Sequence, residues 1–387
     1  MKFQITKNIL DSVCSKFGRL LSSSITIPIL EGVLVETTES YINFIVSNND
    51  ESMVERIPLA DEANVEVNGR AVFPRSLFSM TRKLKAGLID FALTDNQITV
   101  KQKKTKLEFQ TMNADDFPNI FTNQQPINKF SLPFSMFKSF IEDTVFATAT
   151  GDSRPILNGV KLEFTNSGDC TLFSAVATDS HRLAQCQTKN YESNEHTVVV
   201  IPTGTSLVHA IKSFNGNTSI GIVCYKNQIA LVSGNQKTIM YCRLLEGSYP
   251  NTSRLIPQTT SYFTVSTAEL KDGVELIKTM KDSTKTNKKD AICKFEYNAG
   301  KVTLYSMDPG GVSRIQQDLS VYDSQINDVF TLTCSAEYLL ESLKTISTDK
   351  VMFKVLDPLK PFLVANVFED DSSSDDRTQL ILPIRTY

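Results

Sequence analysis

The sequence predicts an α+β fold with more strand than helix, built from three similar domains at residues 1–125, 126–257 and 258–387. Two observations support this prediction. The order strand, amphipathic helix, strand pair begins three times along the chain, and each copy has a second half made of a strand, a helix and a meander of short strands. Such self-similarity at a near-constant spacing is the signature of a repeated structural unit. A chain of 387 residues is long enough for each copy to bury its own core.

The first half of each copy opens with a short alternating strand that leads into a helix. The strands lie at residues 2–5, 129–132 and 262–265, and the predicted helices span about residues 7–21, 133–148 and 266–281. In the first two copies the next strand pair begins with nearly the same letters, Pro-Ile-Leu-Glu-Gly-Val and Pro-Ile-Leu-Asn-Gly-Val. The spacing from Pro28 to Pro155 is identical to the spacing from Gly32 to Gly159. Paired offsets of this kind favour a true duplication.

The second half of each copy repeats the strand and helix. The strands lie at residues 65–72, 197–201 and 329–333, and the helices at residues 74–85, 203–214 and 335–346. The first two copies also close alike, with Asp-Phe-Pro-Asn from Asp116 and Ser-Tyr-Pro-Asn from Ser248. Between the helices, segments such as residues 41–46 and 97–101 alternate apolar and polar side chains, as half-exposed antiparallel strands do.

The charge of the chain is sorted between helices and strands. The formal net charge is −3, which by itself counts against a phosphate-rich partner. The six predicted helices nevertheless carry more Lys and Arg than Asp and Glu, whereas the remainder is net negative. Such sorting fits helices that meet phosphates while the rest of the surface repels nonspecific contacts. An ordinary solvated helix face explains the same charges equally well.

Few residues form a pattern typical of catalysis or of metal binding. Seven scattered cysteines without Cys-x-x-Cys spacing predict reduced thiols, and three dispersed histidines predict neither a metal site nor a cofactor. Asp179, Ser180 and His181 contain the letters of a hydrolase triad, but neighbours on one strand point to opposite faces. We therefore expect no enzyme activity. The chain has no apolar run that suggests a signal peptide or a membrane span, so a cytoplasmic protein without membrane contact is expected.

Several segments resemble the bacterial DNA polymerase III beta subunit, the beta sliding clamp family. They are the opening Met-Lys-Phe, residues 27–30, residues 116–118, Ala-Thr-Asp-Ser-His-Arg-Leu-Ala at residues 177–184, and Leu-Pro-Ile-Arg at residues 382–385. The resemblance covers the whole chain. It implies a DNA clamp fold and a head-to-tail homodimer in which sheets lie outside and helices line a ring. This ring encircles double-stranded DNA without reading its sequence and confers processivity on the replicative polymerase.

The resemblance also implies which residues contact DNA and which pair the two subunits. Leu107 and Phe109 lie on a strand expected to meet a third-domain strand of the second subunit. Ser24 and the Thr203-Gly204 pair stand where well-known members carry basic residues. The basic residues expected to face DNA are Lys16, Arg19, Arg75, Arg82, Lys83, Lys138, Lys212, Lys278 and Lys344.

A hydrophobic peptide cleft between the second and third domains is the last feature that the resemblance implies. It would dock the polymerase alpha subunit, the clamp loader, repair polymerases and mismatch-repair proteins. Alternate members would equally well be plain sheet core. The cleft residues are Leu157, Thr178, Ser180, His181, Arg182, Leu183, Pro250, Arg254, Leu255, Ser335, Tyr338, Leu359, Pro361, Leu380, Ile381, Leu382, Pro383, Ile384 and Arg385.

Two other functions compete with this interpretation. A small-molecule hydrolase or binding protein on a repeated β-rich fold would need a convergent polar pocket, which the sequence does not indicate. A clamp-like inhibitor or phage-borne variant that binds partners without circling DNA is suggested by the departures at Ser24 and Thr203-Gly204.

Overall fold

A computed structural model describes residues 1–18, 20–22, 27–48, 50–60, 63–120, 124–151, 153–167, 170–189, 196–203, 207–214, 216–283, 291–307, 313–326, 329–368 and 375–385. The chain divides into two compact units. Unit 1 comprises Met1–Lys138 and Gly204–Leu245, and unit 2 comprises Ser139–Thr203 and Glu246–Tyr387. The middle repeat is thus shared between the two units, and the division into domains at residues 125 and 257 stays a prediction.

Six α-helices lie in the described part of the chain, at the six predicted places. The helices are α1 (Lys7–Phe17), α2 (Arg75–Thr81), α3 (Phe134–Glu142), α4 (Val208–Ser213), α5 (Thr267–Ser283) and α6 (Ala336–Leu343). Most are shorter than predicted, and just past α3 a local side-chain bond competes with the helix. The Thr144 hydroxyl donates to the carbonyl of Phe140 (2.6 Å) just past α3. Such a bond competes with continuation of the helix.

The described strands, in chain order, are β1 (Lys2–Thr6), β2 (Val33–Thr37), β3 (Tyr41–Asn48), β4 (Glu51–Pro58), β5 (Ala63–Val67), β6 (Gly69–Phe73), β7 (Leu88–Thr94), β8 (Gln97–Gln102), β9 (Thr105–Gln110), β10 (Asn128–Pro133), β11 (Gly159–Ser167), β12 (Cys170–Thr178), β13 (Arg182–Lys189), β14 (Thr197–Pro202), β15 (Ser219–Cys224), β16 (Gln228–Ser233), β17 (Thr238–Arg243), β18 (Tyr262–Ser266), β19 (Ile292–Asn298), β20 (Lys301–Met307), β21 (Arg314–Leu319), β22 (Val321–Gln325), β23 (Phe330–Ser335), β24 (Lys350–Lys354), β25 (Phe362–Asn366) and β26 (Asp375–Ile381). The α+β prediction with more strand than helix is confirmed.

Unit 1 contains two antiparallel sheets. The five-stranded sheet has the order β5-β1-β7-β8-β9, and the eight-stranded sheet has the order β10-β15-β16-β17-β4-β3-β2-β6. The pairing of β17 with β4 joins strands from the second and first repeats, with Cys242 opposite Glu51. One core cluster of this unit contains Leu30, Leu34, Ile45, Val54, Val72, Ala114 and Phe117.

Unit 2 has the same organisation. Its nine-stranded sheet has the order β14-β11-β12-β13-β26-β25-β24-β18-β22, and its four-stranded sheet has the order β21-β20-β19-β23. Here β13 pairs with β26, so a strand of the second repeat joins a strand of the third, with Arg182 opposite Ile381. The helices α5 and α6 cover a core that includes Leu270, Val274 and Leu339.

The repeated glycine has a packing reason in the first copy. A Cβ atom at Gly32 would come within 2.4 Å of the Val72 side chain and 2.9 Å of the Phe73 carbonyl oxygen. Only glycine lets the chain approach β6 this closely where β2 begins.

The described side chains of six cysteines are all buried as free thiols. Burial raises the pKa of the Cys224 thiol and of the Cys334 thiol, each to about 12. These thiols are protonated at neutral pH and belong to the core. No group of described residues has the composition of a metal site, and no described helix is long and apolar enough to cross a membrane.

Candidate functional site

The turn between β12 and β13 forms the centre of the candidate groove in unit 2. The Asp179 carboxylate accepts hydrogen bonds from the backbone N–H groups of His181 (2.8 Å) and Arg182 (3.0 Å). The Thr178 hydroxyl donates to the carbonyl of Arg182 (2.6 Å). Ser180 has a φ of +77°, a left-handed conformation that favours glycine. A network of local side-chain to backbone bonds therefore shapes this turn.

This network also shows why the three letters of a hydrolase triad do not act together. One Asp179 oxygen accepts from backbone groups and the other bonds the Arg182 guanidinium (Nε to Oδ2, 3.0 Å). The His181 ring instead stacks near the Tyr338 ring, with 6.4 Å between centroids. Among the described residues, nothing orients His181 as a base toward Ser180.

Arg182 supports the turn from beneath. Its side chain is ion-paired with Asp179 and with Glu341 of α6, and its Nη2 donates to the carbonyl of Phe146 (2.6 Å). The guanidinium carbon lies 4.5 Å from the centre of the Tyr338 ring. With only 9% of the residue exposed, Arg182 holds neighbouring elements in place and offers little of itself to a ligand.

The C-terminal strand brings further predicted cleft residues beside this turn. Leu183 of β13 lies opposite Leu380 of β26, and beyond the strand the backbone N–H of Leu382 donates to the carbonyl of His181 (2.9 Å). A small buried cluster of Val176, Leu183, Leu363 and Leu380 lies here. The last described residues of the chain therefore become one wall of the turn region.

The predicted cleft residues separate into a buried floor and an exposed rim. Leu255, Leu359 and Leu382 expose 47%, 57% and 38% of their surface, which is unusual for leucine. The partly buried members are Tyr338, Pro361, Pro383 and Ile384. The buried members are Leu157, Thr178, Arg182, Leu183, Ser335, Leu380 and Ile381, and the exposed ones are Ser180, His181, Pro250, Arg254, Leu255, Leu359, Leu382 and Arg385.

Tyr249 packs beside the buried cluster. Its hydroxyl donates to the carbonyl of Val176 (3.4 Å), and burial raises the pKa of this phenol well above its ordinary value. It was not among the predicted site residues, although the repeat of Phe117 by Tyr249 could have indicated it.

The predicted DNA-facing residues have different surroundings. Arg75, Arg82, Lys83, Lys212 and Lys344 are exposed, and Lys138 and Lys278 are partly buried. Arg19, Ser24 and Gly204 lie outside the described residues.

Lys16, Arg82 and Lys278 are engaged by named partners. The Lys16 ammonium lies 2.6 Å from Oε1 of the buried Glu55 and 3.0 Å from the Thr238 hydroxyl. The Arg82 guanidinium donates to the carbonyl of Cys14 (2.9 Å), and the Lys278 ammonium lies 3.7 Å from Glu337. Lys16 in particular joins α1 to β4 and β17 of the eight-stranded sheet.

The predicted subunit contact lies on an edge strand. Leu107 and Phe109 are partly buried on β9, which forms one edge of the five-stranded sheet. In the other unit, β21 forms an edge of the four-stranded sheet. Leu276 on α5 exposes 54% of its surface, because it lies away from the buried stripe of Leu270, Val274 and Ile277.

Comparison with known proteins gives one consistent result. Models of the DNA polymerase III beta subunit match in chain order: the N-terminal domain at residues 1–121, the central domain at residues 131–251 and the C-terminal domain at residues 253–385. The chain is 26% identical to the beta sliding clamp of Bacillus subtilis, with 100% of both chains covered. It is 29% identical to the beta sliding clamp of Streptococcus pneumoniae serotype 4, with 99% of each covered.

Solved structures agree with these sequence matches. The beta subunit from DNA polymerase of Streptococcus pyogenes has a TM-score of 0.88 at 25% identity. The DNA polymerase III beta chain from Streptococcus pneumoniae has a TM-score of 0.89 at 27% identity. In both cases the comparison covers 100% of each chain.

Proposed function

Because the chain belongs to the DNA polymerase III beta subunit family, the sliding clamps, we propose that it encircles duplex DNA as a head-to-tail homodimer. It acts there as a non-catalytic cytoplasmic processivity factor that tethers the replicative polymerase. The observation that carries the proposal is the match of all three domain models, in order, over nearly the whole chain. Three further features support its parts: a sheet edge, a set of exposed basic side chains and an apolar groove.

The subunit contact is proposed to form between β9 of one subunit and β21 of the other. Unpaired sheet edges readily accept a further strand. We expect the Leu107→Ala/Phe109→Ala double variant to sediment as a monomer, because the apolar part of this contact is lost. The matched control is Val67→Ala on β5, an exposed residue at the opposite edge of the same sheet. A dimeric double variant would contradict this contact.

The exposed basic residues of α2 and the residues just after it are proposed to hold phosphates without reading bases. Reversal of charge at Arg75, Arg82 and Lys83 should weaken retention on circular DNA and lower the slope of log affinity against log salt by up to about 0.9 per lost contact. The matched control reverses three exposed lysines around the turn after β8, at Lys101, Lys103 and Lys104.

The DNA experiment also separates this function from a variant that binds partners without circling DNA. Retention on circular DNA that disappears after linearisation supports encirclement. Retention that is equal on both DNAs, or confined to one sequence, contradicts it.

The groove of unit 2 is proposed to bind short Gln-Leu-type peptides with hydrophobic anchors, carried by polymerases, the loader and repair proteins. Exposed leucines above a buried apolar floor fit such extended segments. Loss of one buried anchor in an interface commonly costs more than about 1 kcal/mol. Leu183 is part of the floor, so its replacement would disturb the fold as well as binding.

The test therefore uses the rim. We expect the Leu255→Ser/Leu382→Ser variant, and deletion of residues 382–387, to abolish calorimetric binding of a synthetic Gln-Leu-type peptide while the dimer persists. The control is Leu356→Ser, which is also exposed but lies outside the predicted groove. Undiminished affinity in both groove variants would refute the assignment.

A further inference from the structure

Unit 1 contains a surface pocket that none of the functions above uses. It lies beside the turn that joins β3 to β4 and the end of the paired strand β17, in the eight-stranded sheet, and has a volume of about 320 Å³. Ligand sites commonly have volumes of about 300–1,000 Å³. The pocket lining includes Ile27, Leu30, Asp50, Ser52, Pro118, Ile120 and Arg243.

The turn between β3 and β4, which forms one wall of the pocket, repeats the turn of the unit 2 groove. The Asn48 side-chain oxygen accepts hydrogen bonds from the backbone N–H groups of Asp50 (3.1 Å) and Glu51 (2.8 Å). Asp179 does the same for His181 and Arg182, which follow it by the same spacing. Asn48 and Asp179 are therefore counterparts in the first and second repeats.

Two more hydrogen bonds recur at the corresponding positions. The Ser47 hydroxyl donates to the carbonyl of Glu51 (3.3 Å), as the hydroxyl of Thr178 does in unit 2. The backbone N–H of Arg243 donates to the carbonyl of Asp50 (2.9 Å), as that of Leu382 donates in unit 2. The end of β17 is therefore hydrogen-bonded to the turn before β4 in the same way as the residue after β26 is hydrogen-bonded to the turn before β13.

The apolar lining is also shared. Leu30 corresponds to Leu157 in the repeated Pro-Ile-Leu segment, and Pro118 corresponds to Pro250 in the segment that closes each copy. Leu30 is buried, as Leu157 is. The pocket of unit 1 is thus the structural counterpart of the candidate groove of unit 2.

The side chains that face the ligand differ in chemistry. Ser52 takes the place of Leu183, and Arg243 takes the place of the exposed Leu382. Asp50 takes the place of His181. Two leucines of unit 2 are therefore replaced in unit 1 by a buried serine, bonded to the Ser47 hydroxyl (2.7 Å), and by an exposed arginine. The exposed arginine gives the unit 1 pocket a cationic contact that the unit 2 residues at these positions lack.

Asp50 and Arg243 give the pocket an unused pair of opposite charges. Both are exposed, and within the described residues neither side chain has an ion pair or a hydrogen bond. The backbone N–H of Arg243 donates to the carbonyl of Asp50 (2.9 Å), and both residues line the pocket. Arginine is well suited to carboxylates, because its planar fork can bind both oxygens.

We propose that this pocket is a second peptide-binding site, which binds an extended segment of a partner protein that carries adjacent aliphatic and acidic residues. The aliphatic side chains lie against Ile27, Leu30 and Ile120, and a carboxylate pairs with Arg243. This selectivity differs from that of the unit 2 groove, so the two sites bind different segments at the same time.

The test is methyl NMR of the full-length dimer, labelled at Ile and Leu methyl groups, titrated with acetyl-Ser-Ile-Leu-Glu-Glu-amide. We expect saturable shifts at Ile27, Leu30 and Ile120. The neutral peptide with two Gln residues in place of Glu should bind more weakly by up to about fivefold, the upper limit for one exposed ion pair.

A charge swap makes the test specific. The Arg243→Glu variant should lose the preference for the acidic peptide and prefer the same peptide with two Lys residues. Lys101→Glu, a charge reversal at an exposed lysine of unit 1 outside the proposed DNA surface, should keep the original preference. Since Arg243 is exposed, the spectrum away from the pocket should not change and serves as the check of folding.

The outcome is independent of the function proposed for unit 2. In the Leu255→Ser/Leu382→Ser variant the acidic peptide should still shift the methyl groups of Ile27, Leu30 and Ile120. The proposal is overturned if these methyl groups do not respond to any of the peptides, if the neutral and acidic peptides bind equally, or if the shifts disappear in that variant.

Discussion

The turns at residues 47–52 and 178–183 differ in side chains but share their backbone hydrogen bonds. In each turn an Asn or Asp side chain accepts from two N–H groups, and a Ser or Thr hydroxyl bonds a carbonyl further along. One turn is supported by a buried arginine and lies over leucines, whereas the other carries serines and exposed charges. The comparison teaches that a few short-range polar side chains maintain the shape of a repeated turn while the side chains around it diverge.

The largest expected difference between the two turns comes from Arg182. The Arg182→Ala variant leaves Asp179 and Glu341 without their shared cation and removes the bond to Phe146. Loss of one partner of a buried ion pair typically costs about 3–5 kcal/mol, and the partial exposure of Glu341 lowers our expectation to about 3 kcal/mol. Urea unfolding measures this loss in the free energy of unfolding. The exposed Arg254→Ala variant is the control, and an equally small loss in both would show that Arg182 does not support the turn.

Leu183→Ser places in unit 2 the residue that unit 1 has at Ser52. Leu183 is buried with Val176 and Leu380, so we expect the free energy of unfolding to fall by about 2–4 kcal/mol through lost apolar burial and a new cavity. The exposed Leu255→Ser control should lose less than about 0.5 kcal/mol. Equal losses at both positions would contradict a buried floor beneath an exposed rim.

Asp179→Ala and Asn48→Ala compare the two turns directly. Each substitution removes an acceptor for two backbone N–H groups, but Asp179 is charged and also pairs with Arg182. We expect losses of about 2 kcal/mol for Asp179→Ala and about 1 kcal/mol for Asn48→Ala, since charge-assisted bonds are stronger. Chemical unfolding of both variants under one condition checks the order, and a reversed order would refute the comparison.

Tyr249→Phe gives unit 2 the residue that stands at Phe117 in unit 1. At neutral pH the variant should lose up to about 1 kcal/mol with the bond to Val176. Burial raises the pKa of Tyr249 in the folded state, so its stabilising effect is present below the ordinary pKa of 10.0 and is lost as pH rises above it.

The measurement is urea unfolding of Tyr249→Phe and of the unsubstituted protein at pH 9 and pH 10.8. The free energy of unfolding should fall more steeply with pH in the unsubstituted protein, because only its unfolded state gains the ionised phenol. Effects of the buried cysteines are common to both proteins and cancel in the difference. A pH-independent difference would refute the assignment.

Ser180→Gly has the smallest expected effect. The left-handed φ of +77° strains a serine by about 1 kcal/mol, and the greater freedom of glycine in the unfolded chain offsets part of that gain. We expect the variant to gain about 0.5 kcal/mol in thermal unfolding. Ser131→Gly, on the exposed side of β10, should instead lose stability. A destabilised Ser180→Gly variant would show that the serine side chain is itself needed.

Much of the fold could be predicted from the sequence because it depends on short-range patterns. Alternation, helical periodicity and the recurring Pro28 and Pro155 segments indicated six helices and the α+β class. Helix ends were less predictable. For α3, a hydroxyl at Thr144 bonds back to Phe140, a competition that apolar periodicity does not reveal. The family match was likewise predictable, since the letters at residues 177–184 and the other matching segments themselves carry the resemblance.

What the sequence by itself determined is therefore the repeat, the fold class and the membership of a family. Only the tertiary structure decided which of the predicted DNA-facing and cleft residues are exposed and which are buried or already bonded to other residues. In the sequence, Lys16 has the pattern of a solvated helix residue. In the folded protein, its ammonium contacts Glu55 and Thr238, which are distant in the chain. Asp50 and Arg243 are far apart in the chain and meet because β4 pairs with β17. Burial and charge pairing depend on contacts between distant segments, and the local pattern of residues does not specify those contacts.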